Sequence, residues 1–404
     1  MRNSKTMGHG WALVALALLA GCASAPPPVQ EAPAPVIVPS APVRPAESAP
    51  VTGSGLMGTP GAASPQRAGR SRWIPVDWRE LPGWGQDDLQ DAWNAWIQNC
   101  ARPGPLLAPL CSEMRPLSLA DDAQRRAWMQ QRFQPYRVET LEGQTEGLLT
   151  SYYEPLFEAS SQRRPGFEVP LYAPPEGLEL VRRQGRAWYT RQEIDQLPAA
   201  REALRGREIA WLADPIDALV LHIQGSGRLR LQDGAGGSRW VRVAFAGSNE
   251  QPYGSVGRWL LDRGLVRDAS WPGIRAWMVA QQQLDPSRVQ DMLWSNPRYI
   301  FFRLESLQGP DAALGPRGAQ GVPLTPGRSV AVDKESIPYA APLWLVSEGA
   351  QGRLQRLVFA QDTGSAITGA VRADYYAGTG PQAGEWAGRV KQPLRLWVLW
   401  PIGQ

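Results

Sequence analysis

The sequence predicts a mainly β protein with some helices, in which the C-terminal part closes into a barrel. From about residue 298 onward nearly every segment is a short β-patterned run: "RYIFFR", "SVAVD", "APLWLVS", "RLQRLVFAQD", "SAITGAVR" and "PLRLWVLWP". Glycine and proline turns separate these runs at short intervals. Short strands at this density are typical of a closed barrel rather than an open sheet.

Helical patterns precede the barrel segment. Leu89, Trp93, Trp96 and Cys100 recur at helical spacing, and "SLADDAQRRAWMQQRFQP" (118–135) predicts a second helix that ends at Pro135. The next segment, 145–160, changes to a strand-like pattern.

The middle of the chain mixes both kinds of element. In "TRQEIDQLP" (190–198), Thr190 and Glu193 occupy capping-box positions before a short helix. Further along we expect strands at 218–224 and 239–246, a helix at about 254–263 ended by Gly264, and a helix near 286–295 ended by Pro297.

The N-terminus has the pattern of an export signal. Arg2 and Lys5 precede the apolar run 11–20, which is too short to span a bilayer, and "LAGC" ends this region at Cys22. "LAGC" resembles a bacterial lipobox, whose cysteine becomes the lipidated first residue; a plain secretion signal with a chance cysteine is the alternative. By family analogy, Ala23 after the cysteine favours the periplasmic face of the outer membrane. We therefore expect a signal peptide at 1–21.

Residues 22–72 are expected to form a lipid-anchored Pro/Ala-rich linker, because "APPPVQEAPAPVIVPSAPVRPAESAP" and the Gly/Ser-rich sequence after it cannot bury enough apolar surface to fold. Cys100 and Cys111 lie close in sequence, and an exported, oxidising compartment makes a disulfide between them plausible. The sequence leaves their pairing open.

Composition excludes several classes of function. Without Arg2 and Lys5, the 42 basic residues become 40 against 38 acidic ones, and no basic run indicates nucleic acid. The histidines are His9, which is lost with the signal, and His222, in a run that we read as β. One histidine and at most two thiols cannot build a His/Cys metal cluster, and we expect His222 to be packed rather than a general base. No Walker loop or GxGxxG follows a strand, so carboxylate chemistry remains.

Six ordered motifs resemble the membrane-bound lytic murein transglycosylase A family, with its C-terminal three-aspartate (3D) domain. They are "TSYYEP" (150–155), "DPIDALVLHIQGSGRLRLQDG" (214–234), "RVAFAGSNEQPYGSVGRWLLDRG" (242–264), "NPRYIFFR" (296–303), "GPRGAQGVPLTPGRSVAVDKESIP" (315–338) and "FAQDTGSAITGAVRADYYAGTGPQAGEWAGRV" (359–390). Two departures are Glu250-Gln251, where the family usually has Gly-His, and Gly364-Ser365, where it has a double glycine.

The resemblance implies a double-psi β-barrel with a second, smaller β-domain inserted between its halves and a substrate groove between the two. We place the barrel domain, with its N-terminal helices, at 73–154 and 304–404, and the inserted domain at 155–303. The family's three aspartates correspond to Asp333, Asp362 and Asp374. Asp374 matches the catalytic position, whereas Asp362 and Asp333 are divided between catalysis and barrel structure.

The implied activity is that of a peptidoglycan lytic exotransglycosylase, a lyase that cleaves the MurNAc–GlcNAc β-1,4 bond and leaves 1,6-anhydro-MurNAc ends, without metal or cofactor. Glycosidases ordinarily need two carboxyl groups. Here the sugar's own 6-hydroxyl is the nucleophile, so a single aspartate can act as acid and then as base. Asp374 must then have a raised pKa, through an apolar setting or through Asp362.

Two rival functions stay open: a hydrolase that uses water, and a peptidoglycan-binding lipoprotein without activity. Retention of Asp374 argues against a pure binder. The expected partners are peptidoglycan glycan strands, the outer membrane through the lipid anchor, and other cell-wall enzymes.

We also expect substrate-binding residues. These are Tyr152 and Tyr153 in "TSYYEP", and, in "LHIQGSGR" (221–228), Gln224, Gly225, Ser226 and Gly227. Gln224 and Ser226 offer donors and acceptors for sugar hydroxyls, and the two glycines would let a ligand approach the backbone. A plain glycine-rich turn between strands is the alternative.

Overall fold

The computed structural model describes residues 64–234, 236–308 and 312–403. The predicted signal peptide, Cys22 and most of the predicted linker lie outside these ranges. No helix in the described part of the chain is long and apolar enough to cross a bilayer.

The described residues form strands and helices in roughly equal number, with the strands dominating the architecture. The strands are β1 (Gln66–Ala68), β2 (Ser71–Pro75), β3 (Phe133–Thr140), β4 (Gly147–Glu154), β5 (Leu156–Ser160), β6 (Val169–Tyr172), β7 (Glu208–Leu212), β8 (Ser226–Gln232), β9 (Ser238–Ser248), β10 (Ile300–Ser306), β11 (Ser329–Val332), β12 (Pro342–Gly349), β13 (Gly352–Asp362), β14 (Arg372–Thr379) and β15 (Lys391–Pro401). The helices are α1 (Leu89–Asn99), α2 (Gly104–Leu107), α3 (Leu110–Met114), α4 (Asp122–Arg132), α5 (Leu178–Arg183), α6 (Arg191–Gln196), α7 (Pro198–Leu204), α8 (Pro215–Gln224), α9 (Val256–Asp262), α10 (Trp271–Leu284), α11 (Pro286–Trp294) and α12 (Pro381–Ala387).

One sheet closes on itself. Its strand order is β1-β2-β3-β15-β12-β13-β11-β14-β4, and β4 also pairs with β15, so the six strands from β15 to β4 form a ring. The pairs β11–β13 and β14–β4 are parallel, and the other pairs of the ring are antiparallel. The predictions of a mainly β fold and of a barrel are confirmed.

Alternation along the strands gives the barrel two buried faces. On β12, Leu343 and Leu345 point into the barrel core, whereas Trp344 and Val346 join a cluster outside it. That outer cluster includes Trp93 and other residues of α1. Because strand side chains alternate between faces, one run of apolar residues serves both cores.

The second sheet has the order β10-β9-β8-β5-β7-β6, with β5 and β8 parallel and the other pairs antiparallel. Its core includes Leu171, Leu229 and Phe302, with Leu221 of α8 packed against them. Helices α9, α10 and α11 form a further core with the other side of α8.

The segment 218–224 is helical, and the prediction of a strand there was wrong. Asp214 caps α8 by accepting a hydrogen bond from the backbone N of Ile216 at 2.8 Å, Pro215 occupies the first turn, and Gly225 ends the helix with φ +80°. These cap signals override the β preference of "ALVLHI". His222 therefore lies on a helix and not in a β run.

Three other predictions need correction, one of a whole strand and two of boundaries. The helix predicted for 118–135 ends at Arg132, and Pro135 lies inside β3, opposite Leu399. "SAITGAVR" (365–372) is a turn-rich loop, because Gly369 takes φ +112° and β14 begins only at Arg372. Residues 66–72, predicted as linker, contribute to β1 and β2.

Several smaller predictions are confirmed. Thr190 and Glu193 form a capping box at α6, α1 covers the predicted helical spacing, and α9 and α11 lie where helices were expected. A disulfide joins Cys100, which follows α1, to Cys111 in α3. Helices α2, α3, α5, α7, α10 and α12 were not predicted.

Candidate active site

The barrel brings two of the three predicted aspartates to one face, because Asp362 of β13 and Asp374 of β14 both lie opposite Ala331 of the intervening strand β11. Strands β4 and β14 pair in parallel, with Thr150 beside Asp374 and Tyr152 beside Tyr376. Leu149 and Ala373, their neighbours along the strands, point into the barrel core. Since successive side chains alternate, Thr150, Tyr152 and Asp374 lie on the outer face.

Asp374 is half-buried and only partly hydrogen-bonded. The hydroxyl of Thr150 donates to its Oδ1, and Nη2 of Arg372 donates to that hydroxyl at 2.8 Å. Oδ2 accepts no hydrogen bond from any described residue. Burial raises the pKa of Asp374, while Thr150 and the charge of Arg372 oppose that rise. A carboxyl group with one free oxygen and a raised pKa can present a proton to a ligand.

Asp362 lies at the end of β13, and both of its carboxylate oxygens accept hydrogen bonds. The backbone N atoms of Ala319 and Thr363 each donate to Oδ1 at 2.9 Å, and the hydroxyl of Tyr152 donates to Oδ2 at 2.9 Å. Burial raises the pKa of Asp362 to about 6; these three donors lower it, and the charge of Asp374 raises it. The charge of Asp374 therefore acts on Asp362, whereas the raised pKa of Asp374 itself comes from burial and not, as we expected as one alternative, from Asp362.

Asp333 has a different set of partners. It is buried, and it accepts hydrogen bonds from the backbone N of Glu335 at 3.0 Å and of Gly369 at 2.8 Å, and from Nη1 of Arg70 at 3.3 Å. None of these donors contacts Asp362 or Asp374 in the described structure. Asp333 thus holds together the loops that follow β11 and precede β14.

The two tyrosines of "TSYYEP" point in opposite directions. Tyr152 faces the aspartates and its ring packs on that of Tyr376, with the ring centroids 5.4 Å apart. Tyr153 faces α12, where a Cβ added at Gly384 would come within 2.6 Å of its ring. Only Tyr152 joins the aspartate cluster.

The segment from Gln224 to Gly227 connects α8 to β8. Oε1 of Gln224 accepts a 3.0 Å hydrogen bond from the backbone N of Tyr153, so only its amide NH₂ remains for a ligand. A Cβ on Gly227 would lie 3.2 Å from the backbone oxygen of Pro155, and Gly225 ends the helix. Local packing and capping therefore explain both glycines, and Ser226 is buried.

Sequence reasoning missed Thr150 and Tyr253. The charge of Asp374 contributes to a raised pKa of Tyr253, after the larger effect of burial, which places this loop residue near the aspartate. Thr150 was detectable, because residues two apart on a strand share a face and Tyr152 was already a candidate. Tyr253 carried no such signal.

Glu154, also missed, joins the two sheets. It is fully buried at the end of β4, and it accepts hydrogen bonds from Nε of Arg228 at 2.7 Å, Nε of Arg242 at 2.5 Å and the hydroxyl of Thr379 at 2.9 Å. Both arginines belong to the second sheet and also donate to the backbone oxygen of Leu314. One buried carboxylate thus links the barrel, the second sheet and the loop before β11.

In the described ranges no group of three or more His, Cys, Asp or Glu side chains could hold a metal ion. His222 is packed between the rings of Tyr299 and Phe302, at centroid distances of 4.2 and 5.6 Å.

Two family models match the chain. One, described as the MltA specific insert domain, covers residues 148–303, and the other, the 3D domain, covers residues 328–400. The first match covers most of β4 and the second sheet as far as Arg303 in β10, and the second covers β11 to β14 with most of β15.

Named relatives are similar over much of the chain. The membrane-bound lytic murein transglycosylase A of Vibrio cholerae is 33% identical over 261 residues, which cover 62% of this chain and 65% of that protein, slightly less than two thirds of its length. The lytic transglycosylase LtgG of Burkholderia pseudomallei is 40% identical, with 85% of this chain and 99% of that chain covered and a TM-score of 0.55. Escherichia coli MltA with bound chitohexaose is 25% identical, with coverage of 81% and 94% and a TM-score of 0.62.

Proposed function

Because the chain belongs to the membrane-bound lytic murein transglycosylase A family, we propose that it is a lytic transglycosylase that acts on peptidoglycan. The observation that carries the proposal is the pair Asp362 and Asp374 on the outer face of the barrel, both with raised pKa values. Their hydrogen bonding separates their roles.

In this mechanism Asp374 is the acid. It protonates the oxygen of the MurNAc–GlcNAc β-1,4 bond, and the resulting carboxylate then takes the proton of the muramic acid 6-hydroxyl as that oxygen attacks C1. The bond to the leaving sugar breaks, the new bond closes a 1,6-anhydro ring, and the proton returns to Asp374. The nucleophile belongs to the substrate, so much of the entropic barrier is already met. The free Oδ2 supports this role for Asp374.

Asp362 is the stabilising carboxylate. Three donors fix its orientation, so it is poorly placed to exchange a proton and well placed to offer fixed negative charge to the oxocarbenium-like transition state. Tyr152 positions it. Asp333 has a structural role in the barrel, since its partners tie two loops together.

The substrate groove lies between the barrel (73–154 and 304–404) and the inserted domain (155–303), and the barrel has the double-psi topology. The six-stranded ring with two parallel pairings is compatible with that topology. The relative with bound chitohexaose, an oligosaccharide, supports a glycan ligand. Gln224 contributes its free amide and Tyr253 its ring from the inserted side. Tyr153, Gly225, Ser226 and Gly227 shape the groove through packing.

Location follows from the N-terminus. Lipidation of Cys22 would anchor the chain at the periplasmic face of the outer membrane, and the linker would let the folded part reach the cell wall. The name of the relatives, membrane-bound lytic murein transglycosylase A, supports membrane association.

Mass spectrometry of peptidoglycan digested with the full chain tests the function. A transglycosylase gives muropeptides with 1,6-anhydro ends, each one water lighter than the reducing-end product of a hydrolase. Anhydro products are expected. Reducing ends would show that water is the nucleophile, and the absence of both would identify a binding lipoprotein.

A further inference from the structure

The second sheet and its helices line an open cavity of about 880 Å³ that contains none of the candidate active-site residues. Helix α8 contributes Ala218 and His222 to its wall. The side chains of Tyr172, Arg191, Asp195, Trp294 and Tyr299 also line it. The lining also includes the charged side chains of Arg163, Glu168, Arg201, Arg205 and Glu208, so the cavity combines aromatic walls with many polar groups. Its size is that of a small-ligand site.

Arg191 is a buried cation without a direct ion pair, and the negative charge of Asp195 acts on it only from beyond ion-pair distance. It is 6% exposed, and no carboxylate in the described ranges lies within ion-pair distance of it. Its Nε donates to the backbone oxygen of Asn296 at 3.0 Å and its Nη2 to that of Arg298 at 2.7 Å, which leaves Nη1 unused. Because an unpaired buried charge is costly, the cavity favours an anion beside Arg191.

His222 adds a second unused donor. It is 5% exposed, and neither ring nitrogen has a hydrogen-bond partner in the described structure. Burial, with the charge of Arg191, holds the pKa of His222 well below its usual value, so the ring is neutral and keeps one N–H. A buried polar group without a partner costs free energy that a ligand could recover.

The tyrosines supply two more donors. The ring of Tyr299 lies 5.1 Å below the guanidinium carbon of Arg191 and 4.2 Å from the ring of His222. The ring of Tyr172 lies 6.5 Å from that of Tyr299. Neither hydroxyl donates to another described residue. Four donors therefore line one cavity around a buried positive charge.

Asp195 gives the same cavity an acceptor. Trp294 Nε1 and Gln290 Nε2 both donate to its Oδ2, at 2.8 and 3.1 Å, while Oδ1 accepts no hydrogen bond in the described structure. A ligand that carries a carboxylate together with N–H groups would pair with both the donors of the cavity and the acceptor at Asp195. A peptide with a free carboxylate is such a ligand.

We propose that this cavity is a second binding site, in which Arg191, His222 and Tyr299 hold the carboxylate of a peptide and Asp195 accepts its N–H groups. The choice of the peptidoglycan stem as that peptide rests on the proposed function. The chain would then bind one polymer at two sites, with the glycan strand in the groove and the peptide stem in the cavity.

Isothermal titration calorimetry of the full chain in detergent tests the site, with a sugar-free stem peptide as the probe and the same peptide with amidated carboxylates as its control. We expect the free peptide to bind and the amidated one to bind at least about tenfold more weakly. Tyr299→Phe removes only a hydroxyl without a partner, so it should fold normally and weaken binding by about tenfold. Tyr189→Phe changes a tyrosine that packs in the same cluster outside the cavity lining, and it should bind as the wild type does.

Arg191→Lys is the second variant, because lysine keeps the positive charge and loses the planar, multiple N–H donors of the guanidinium group. Thermal unfolding checks that this variant is folded. The proposal is overturned if the free and amidated peptides bind equally, if Tyr299→Phe leaves the affinity unchanged, or if acetate alone competes as strongly as the peptide. Asp374→Asn should retain stem binding. Failure of the proposed function would appear instead as a missing anhydro product with stem binding intact.

Discussion

The hydroxyl of Tyr152 lies 2.9 Å from Oδ2 of Asp362 and donates a hydrogen bond to it, so that both oxygens of this carboxylate accept hydrogen bonds. The other oxygen is held by two backbone N–H groups. Tyr152 is thus the only side chain among the described residues that donates to Asp362, and removing its hydroxyl changes one contact.

Tyr152→Phe should shift the acid limb of the pH–rate profile upward. Without this donor the pKa of Asp362 rises further above about 6, so a larger fraction is protonated and uncharged near neutral pH. We expect a shift of roughly one pH unit, measured as turnover of peptidoglycan across pH.

Tyr153→Phe is the matched control, because its ring packs at Gly384 on the other face of β4. It should leave the acid limb in place. If the acid limb of the pH–rate profile shifts equally in both variants, Tyr152 does not position Asp362.

Glu154→Gln should destabilise the folded chain by about 3–5 kcal/mol, because it leaves Arg228 and Arg242 without their shared buried anion. Glu158→Gln is the control: that carboxylate is half exposed and lies 3.5 Å from exposed Arg230, so it should cost less than about 1 kcal/mol. Urea unfolding measures both. If both variants lose the same free energy of unfolding, the contacts of Glu154 between the two sheets do not stabilise the fold.

The stability of the wild type should fall relative to Asp362→Asn as the pH rises from about 4 to about 7. The pKa of Asp362 is about 6 in the folded state against an ordinary 3.8, so the folded protein binds this proton more tightly than the unfolded chain. The resulting stabilisation is complete below the ordinary pKa and is lost through about pH 6. The change is on the order of 3 kcal/mol at most. Chemical denaturation at several pH values that showed the opposite trend would mean that Asp362 is not held with a raised pKa.

Cys22→Ser should release the chain from membranes while peptidoglycan turnover by the folded part continues, since lipid chains at this residue are the proposed anchor. Fractionation followed by a turnover assay measures both properties. Sedimentation of the variant with membranes would refute the lipobox interpretation.

The sequence predicted the barrel because its strands are short, apolar and separated by clear turns. It failed at α8, where "ALVLHI" looks like a strand although Asp214, Pro215 and Gly225 mark both ends of a helix. The caps at both ends outweigh the strand preference of the apolar residues between them. The same error placed a strand at 365–372, where Gly369 requires a turn.

The site was only partly predictable. Asp362 and Asp374 came from motif resemblance, and strand alternation could have added Thr150. The link from Glu154 to Arg228 and Arg242 spans 74 and 88 residues and depends on how two sheets meet, which no local pattern encodes.

Release of anhydro-muropeptides by Asp374→Asn tests the assignment of the catalytic acid most directly. Asparagine keeps the volume and cannot carry the proton, so the folded variant should lose about a thousandfold or more of its turnover. Asp333→Asn, at an aspartate that caps two loops, should lose stability and yet form anhydro ends while folded. A folded Asp374→Asn protein that releases anhydro-muropeptides within about tenfold of the wild-type rate would contradict the assignment and place the acid elsewhere.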